Sequence, residues 1–362
     1  MKAYIVDRSI LRENARLLLQ KAGSAAVYGV VKGNGYGLGL LALSELLWEV
    51  GVRRFAVAEP WEAAALRARL PEAEILMLRE TRLENELREL MAAGAVLTVG
   101  SMATAEQVSV LAPEYTVPYP VHAKLDTGMG RYGFLPGEID HLAALYGMEN
   151  LDVQGIYTHF HSAFSSEKAT RAQFDLFQGT LRELARRGID PGLRHCCNSS
   201  AFLRFPEMHL DAVRLGSAVL GRLSFPGDFG LRPVGWCEAQ VELLRDIPKG
   251  QSVGYSATWR AKRKSRIAVT SVGTFHGFDA PTRYYPGTLR ECILAILGSV
   301  RALLRKRTLT GTLNGRTVPA VGLVGMVQTM FDVTDVPCQV GDVIRLELRP
   351  LSFKGLEIEY RN

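Results

Sequence analysis

Between residues 25 and 215, short apolar runs alternate with longer amphipathic stretches, and this alternation limits the fold more than any other feature of the chain. The runs fall at 25–31, 54–58, 74–78, 95–99, 120–125, 152–159, 192–196 and 212–215. Several are almost continuously apolar, as strands of a parallel sheet covered on both faces are. Helical periodicity fills the gaps at 40–50, 60–69, 83–92, 104–111, 137–146 and 168–187, and the second of these opens on Pro60. Eight strands separated by helices predict an α/β fold, a (β/α)8 TIM-type barrel in preference to an open sheet. Before the first run, residues 2–7 read as a short strand and 9–21 as an amphipathic helix.

After about residue 229 the pattern changes. Strand-like segments at 236–245, 253–258, 267–273, 317–324, 326–333 and 343–348 are punctuated by glycine turns at Gly250, Gly315 and Gly341. Residues 291–304 mix apolar and basic side chains and fit neither pattern. The expected organisation is a barrel over 1–230 and a C-terminal β-rich domain over 231–362, and a length of 362 residues suits two domains.

Charge narrows the function. Lys and Arg number 43 against 37 Asp and Glu, a net charge of +6. Two basic clusters, 260–266 and 301–307, lack interleaved aromatics. A solvated surface is the better reading of them, and no nucleic-acid partner is expected. Five cysteines with no C-x-x-C pair indicate neither a disulfide framework nor a zinc ribbon. No signal-peptide pattern and no apolar run of spanning length is present, so the expectation is a cytoplasmic protein without a membrane partner.

A barrel of this type carries its active site at the C-terminal ends of its strands. Lys32 follows the first run and opens a glycine-rich turn. A lysine directly after a buried strand is costly unless it has a partner or a task. Lys124 to Arg131 follow the fifth run, and His159 closes the sixth. His195, Asn198 and Ser199 follow the seventh, and Arg214, Gly216 and Ser217 close the eighth. Singly these residues could be a barrel histidine, a helix N-cap or a structural ion pair. Their joint placement at one rim argues for a site. His159 and His161 alternate as two metal ligands on a strand might, but no carboxylate-rich partner accompanies them, so no metal is expected.

The turn K-G-N-G-Y-G-L-G at 32–39 resembles the K-A-N-A-Y-G-H-G signature of alanine racemases. H-A-K-L-D-T-G-M-G-R-Y-G-F at 122–134, G-I-Y-T-H-F at 155–160, H-C-C-N-S at 195–199 and V-R-L-G-S at 213–217 resemble further family motifs, in the family's order. So do S-V-G-Y-S-A-T at 252–258, G-M-V-Q-T-M at 325–330 and E-I-E-Y-R at 357–361. The resemblance implies pyridoxal phosphate (PLP) held as a Schiff base by Lys32. It implies Tyr36, Ser199, Gly216, Ser217 and Tyr360 at the phosphate, with Asn198 beside Ser199. It further implies His159 against the ring, Arg214 at the pyridine nitrogen, Arg131 and Met326 near substrate, and a carbamylated Lys124. The implied assembly is a homodimer with composite active sites acting on a small amino acid.

Racemisation requires proton removal on one face of Cα and return on the other, hence two bases. Lys32 and Tyr255 of the partner subunit are the expected pair. A free tyrosine, with a pKa of about 10, is a poor base at neutral pH, so His159 and Arg214 are expected to assist as nearby cations. An arginine does not readily surrender a proton, which keeps the pyridine unprotonated. Thr274, Leu215, Val327 and the His161-to-Phe164 segment depart from the family pattern and bear on substrate identity. The alternatives are a serine or broad-specificity racemase, a fold-related PLP decarboxylase, and a catalytically silent PLP-binding protein.

Overall fold

The computed structural model describes residues 1–280, 289–305 and 309–362, so the basic cluster at 301–307 lies partly outside them. The chain forms two compact units, one of Arg8–Val234 and one of Met1–Asp7 with Gly235–Arg361. Their elements open with β1 (Lys2–Asp7) and α1 (Arg8–Ala22).

The barrel strands are β2 (Ala26–Val30), β3 (Arg54–Val57), β4 (Glu74–Met77), β5 (Leu97–Val99), β6 (Tyr119–Lys124), β7 (Leu151–Tyr157), β8 (Leu193–His195) and β9 (Ala212–Leu215). All pair in parallel, in the order β4-β3-β2-β9-β8-β7-β6-β5. The ring closes through a parallel bridge between Leu76 and Val96, where Val96 N–H donates to the Ile75 carbonyl at 2.7 Å. Helices α2 (Leu40–Glu49), α3 (Pro60–Arg69), α4 (Glu84–Ala92), α5 (Met102–Leu111), α6 (Ile139–Tyr146), α7 (Glu167–Arg186) and α8 (Ser199–Arg204) link successive strands. Tyr28, Val30, Ala56, Leu76, Val96 and Ala212 form one buried cluster of this unit. The eight-stranded barrel expected from the alternation is the fold.

The second unit contains β10 (Gly235–Ile247), β11 (Ser252–Val253), β12 (Trp259–Arg260), β13 (Ser265–Thr270), helix α9 (Leu289–Arg305), β14 (Thr310–Leu313), β15 (Arg316–Val321), β16 (Thr329–Asp332), β17 (Val343–Leu346) and β18 (Glu357–Arg361). It is β-rich, as expected.

Three local expectations differ. Residues 1–7, expected with the barrel, belong to the second unit, and the boundary falls after Val234 rather than 230. The reason is pairing: β1 lies between β10, to which it is antiparallel, and β18, to which it is parallel. Ala3, Tyr4, Ile5 and Val6 are all buried, as a strand inside a sheet requires. The strand expected over 253–258 stops at Val253, because Gly254, Ser256 and Ala257 take left-handed φ values of 77°, 57° and 49°. The ambiguous segment at 291–304 lies within α9.

Tyr4 is fully buried and stacks on Phe353 with ring centroids 4.5 Å apart. Tyr4→Ala should therefore cost about 3–5 kcal/mol, read as a lower urea midpoint for the second unit. An unchanged midpoint would show that β1 does not carry that unit's packing.

Candidate active site

The turn after β2 fixes Lys32. Gly33, Asn34, Gly35, Tyr36 and Gly37 all have positive φ, between 53° and 84°, forming one left-handed turn. Glycine and asparagine tolerate this conformation, whereas Tyr36 does so against steric cost and must be held by its surroundings. The Gly35 amide donates to the Val31 carbonyl at 2.7 Å and the Gly37 amide to the Gly33 carbonyl at 2.9 Å. Asn34 Oδ1 accepts from the Leu40 amide at 2.9 Å and so leads the turn into α2.

Behind this turn sits Glu62, fully buried on α3. Its carboxylate accepts from the backbone amides of Asn34 at 2.9 Å, Ala58 at 3.0 Å and Glu59 at 3.2 Å. Glu62 thereby ties the lysine turn to the end of the next barrel strand. The sequence reading missed it, although Glu59-Pro60-Trp61-Glu62 carries the spacing of a capping box, which the structure forms.

Lys32, Tyr36, Lys124, Arg131, His159, Asn198, Ser199, Arg214, Gly216 and Ser217, the ten barrel residues singled out above, all line one cavity of about 440 Å³. Arg79, Tyr132 and Tyr157 also line it. Among the described residues, five lysines and arginines thus line the cavity and no carboxylate does. Burial and then the neighbouring Arg131 and Arg214 charges lower the Lys32 pKa. Burial and Arg214 push Lys124 down to about 7, and its Nζ donates to the Leu125 carbonyl at 2.8 Å.

Arg214 is itself buried and tightly held. It donates to His195 Nδ1 at 2.7 Å and to the carbonyl of Thr158 at 2.7 Å, with further bonds to the His195 and Cys196 carbonyls. Accepting at Nδ1 leaves the His195 proton on Nε2, which reaches His122 Nδ1 at 3.0 Å. Both imidazoles are neutral: burial, then Arg214, holds His195 well below the ordinary range and His122 at about 3. Tyr157 stacks on His195 at 4.7 Å.

His159 was expected to act as a cation. Burial, followed by the charges of Arg214, Lys124 and Lys32, drives its pKa well down, so it is a neutral imidazole instead. Among the described residues no cluster of metal-ligating side chains forms, and His161 meets Ser162 Oγ at 2.6 Å.

At the other side of the cavity, Ser199 Oγ accepts from the Gly216 amide at 3.0 Å and the Ala218 amide at 3.3 Å. A Cβ on Gly216 would overlap the Tyr36 phenol, so only glycine lets the ring approach this backbone. Burial pushes Tyr36 up to about 12, which keeps its hydroxyl protonated as a neutral donor. Asn198 caps α8, its Oδ1 accepting from the Ser200 and Ala201 amides at 3.1 and 3.0 Å. The loop from Lys124 to Arg131 wraps around Asp126, whose carboxylate accepts from the amides of Gly128, Met129 and Arg131. Burial opposes that ionisation, but the backbone donors outweigh it and lower the Asp126 pKa. Buried Gln173 steadies the same loop through Thr127 Oγ1, 3.2 Å away.

The remaining candidates lie on the second unit. Tyr255 and Met326, 71% and 69% exposed, line a depression there with Gly254, Leu323, Gly325 and Val327. Tyr360 lies on β18, in register with Val6.

A family model described as the alanine racemase N-terminal domain matches residues 6–224, and one described as the C-terminal domain matches 234–349. The chain belongs to the alanine racemase family. It is 32% identical to the alanine racemase of Methanococcus maripaludis over 348 residues, covering 94% of this chain and 87% of that one. The solved biosynthetic alanine racemase of Pseudomonas aeruginosa superposes with a TM-score of 0.80 at 27% identity, covering 100% and 99% of the two chains. That of Bartonella henselae, with covalently bound pyridoxal phosphate, superposes with a TM-score of 0.81 over 100% and 99%; at 24% identity it speaks for the fold alone.

Removing the Glu62 carboxylate takes the acceptor from three part-buried amides, each at a cost of at most about 1 kcal/mol. Glu62→Ala should speed hydrogen exchange at the Asn34 amide roughly tenfold or more. Exchange at the wild-type rate would mean that the lysine turn holds itself.

Proposed function

We propose that the chain is a PLP-dependent alanine racemase that interconverts L- and D-alanine with two bases. The observation that supports this most directly is the gathering of Lys32, Tyr36, Ser199, Arg214 and Gly216 around one cavity, in a chain whose two parts match the two domain models of the family. The cavity suits the cofactor and an amino acid. Neutral donors beside a glycine-lined backbone can cradle a phosphate, and a lining of basic side chains without carboxylates calls for anions.

When bound, PLP supplies the electron sink that makes the Cα proton removable. Lys32 would hold the cofactor covalently and, once released, stand as an amine at one face of Cα. Its lowered pKa keeps more of that amine neutral and able to accept a proton. Arg214 would meet the ring nitrogen and keep its own proton, since its donors are fixed by His195 and by backbone carbonyls. With His159 neutral, the cations left at the cavity are its lysines and arginines. Arg131 would take the substrate carboxylate. Tyr255 of the partner subunit would serve the opposite face in a homodimer, where two-fold symmetry makes two identical sites.

Lys32→Ala and Tyr255→Phe should each abolish conversion of L- to D-alanine, and Lys32→Ala should also abolish the yellow colour of the purified protein. Mixing the two variants should restore up to about half of native activity per heterodimer, because one of its two sites holds both bases. Colour that survives Lys32→Ala, or racemisation that survives Tyr255→Phe, sinks the assignment. Running the assay over a panel that includes serine tests the broader substrate range that Val327 and Thr274 raise.

Lys124 carries a second test. With a pKa of about 7, its neutral amine is populated near neutrality and can attack the carbon of carbon dioxide, losing a proton to form a carbamate. The amine fraction grows as pH rises through that value, so carbamate should increase between about pH 6 and about pH 8. Labelling with carbon-13 bicarbonate should give a carbamate resonance that Lys124→Arg removes. A spectrum without that resonance at the higher pH overturns the modification.

A further inference from the structure

Helix α9 takes no part in the reaction proposed above. Every described side chain from Ile293 to Ser299 is exposed. Leu289, Ile293, Ile296 and Leu297 are 78%, 49%, 63% and 52% exposed, and their spacing of four, seven and eight residues puts them on one face. The sequence goes on with further apolar residues, Val, Leu and Leu at 300, 303 and 304. The same segment of sequence carries arginines at 290, 301 and 305, and Lys306 and Arg307 come next. From 289 to 307 there are five basic residues and one acid, Glu291. A 17-residue helix with an uncovered apolar face is marginal in water and needs a surface to lie on.

The chemistry of α9 selects that surface. An apolar stripe edged by arginine is the pattern of a helix lying in the plane of a membrane interface. We propose that α9 docks the protein on the anionic headgroup face of a phospholipid bilayer, with its apolar stripe at the acyl boundary and its arginines at the phosphates. A second copy of the chain fits less well. Helices that pair carry opposite charges beside the apolar seam, whereas two copies of α9 would bring together two segments of like, basic charge in chains of net charge +6. No described helix is long and apolar enough to cross a membrane. The sequence expectation of no membrane partner rested on the lack of a spanning segment, and lying on a bilayer requires none. The proposal does not depend on the racemase reading.

The test is flotation of the full-length, PLP-loaded protein with vesicles of phosphatidylcholine alone or mixed equally with phosphatidylglycerol. The bound fraction should be about tenfold higher on the anionic vesicles and fall several-fold when salt is raised from about 0.1 M to about 0.5 M. The double variant Ile293→Asp, Ile296→Asp should lose about tenfold of that binding while keeping the thermal midpoint and solution activity of the wild type. Equal flotation with and without phosphatidylglycerol overturns the proposal. So does a wild-type assembly in solution that the double variant splits, since the face would then belong to a second copy.

Discussion

The cavity at the barrel mouth collects positive charge. Lys32, Arg79, Lys124, Arg131 and Arg214 line it, and among the described residues no acid does. Charge in a partly desolvated space is costly, and the protein answers in three ways. It lowers the pKa of Lys32 and brings that of Lys124 down to about 7. It holds the histidines neutral. It leaves room for anions supplied by a ligand. The same charge suits the phosphate and carboxylate groups that the proposed reaction would bring to the cavity.

The acids that could have neutralised these charges are used to shape backbone. Glu62 accepts three amides behind the lysine turn, and Asp126 accepts three amides inside the loop that presents Arg131. Each has its oxygens engaged by the chain and so organises the cavity from outside. Arg214 is positioned by the complementary device, a guanidinium spread over carbonyl oxygens and one imidazole nitrogen. The tautomer this imposes on His195 is passed to His122, so two buried histidines and an arginine share a single hydrogen-bond direction.

The second unit works by a different economy. Its sheet recruits the first strand of the chain to lie between β10 and β18. Tyr255 sits on a turn with left-handed residues, presented outward rather than packed in a strand. An exposed aromatic on a constrained turn suits the role proposed for Tyr255 as a base that reaches a substrate held elsewhere.

The eight-strand barrel was legible because each apolar run is bounded by an amphipathic helix, and local periodicity suffices to count them. The ten lining residues were legible because barrel strands deliver their C-terminal ends to one rim, so position along the chain translates into position in space. Glu62 was not recognised, because a glutamate in a helical pattern looks solvated until the turn it braces is folded against it. The neutrality of His159 was also out of reach, since it depends on burial and on lysine and arginine charges brought from three other strand ends. The strand at 2–7 was visible as a strand, but its partners begin more than two hundred residues away, and hydrogen-bond pairing across that separation is decided by the sheet. The sequence by itself determined which residues could act and at which end of the barrel. Only the tertiary structure decided their protonation, their hydrogen-bond direction and the unit to which the first strand belongs, because each is a property of neighbours that the chain brings together only by folding.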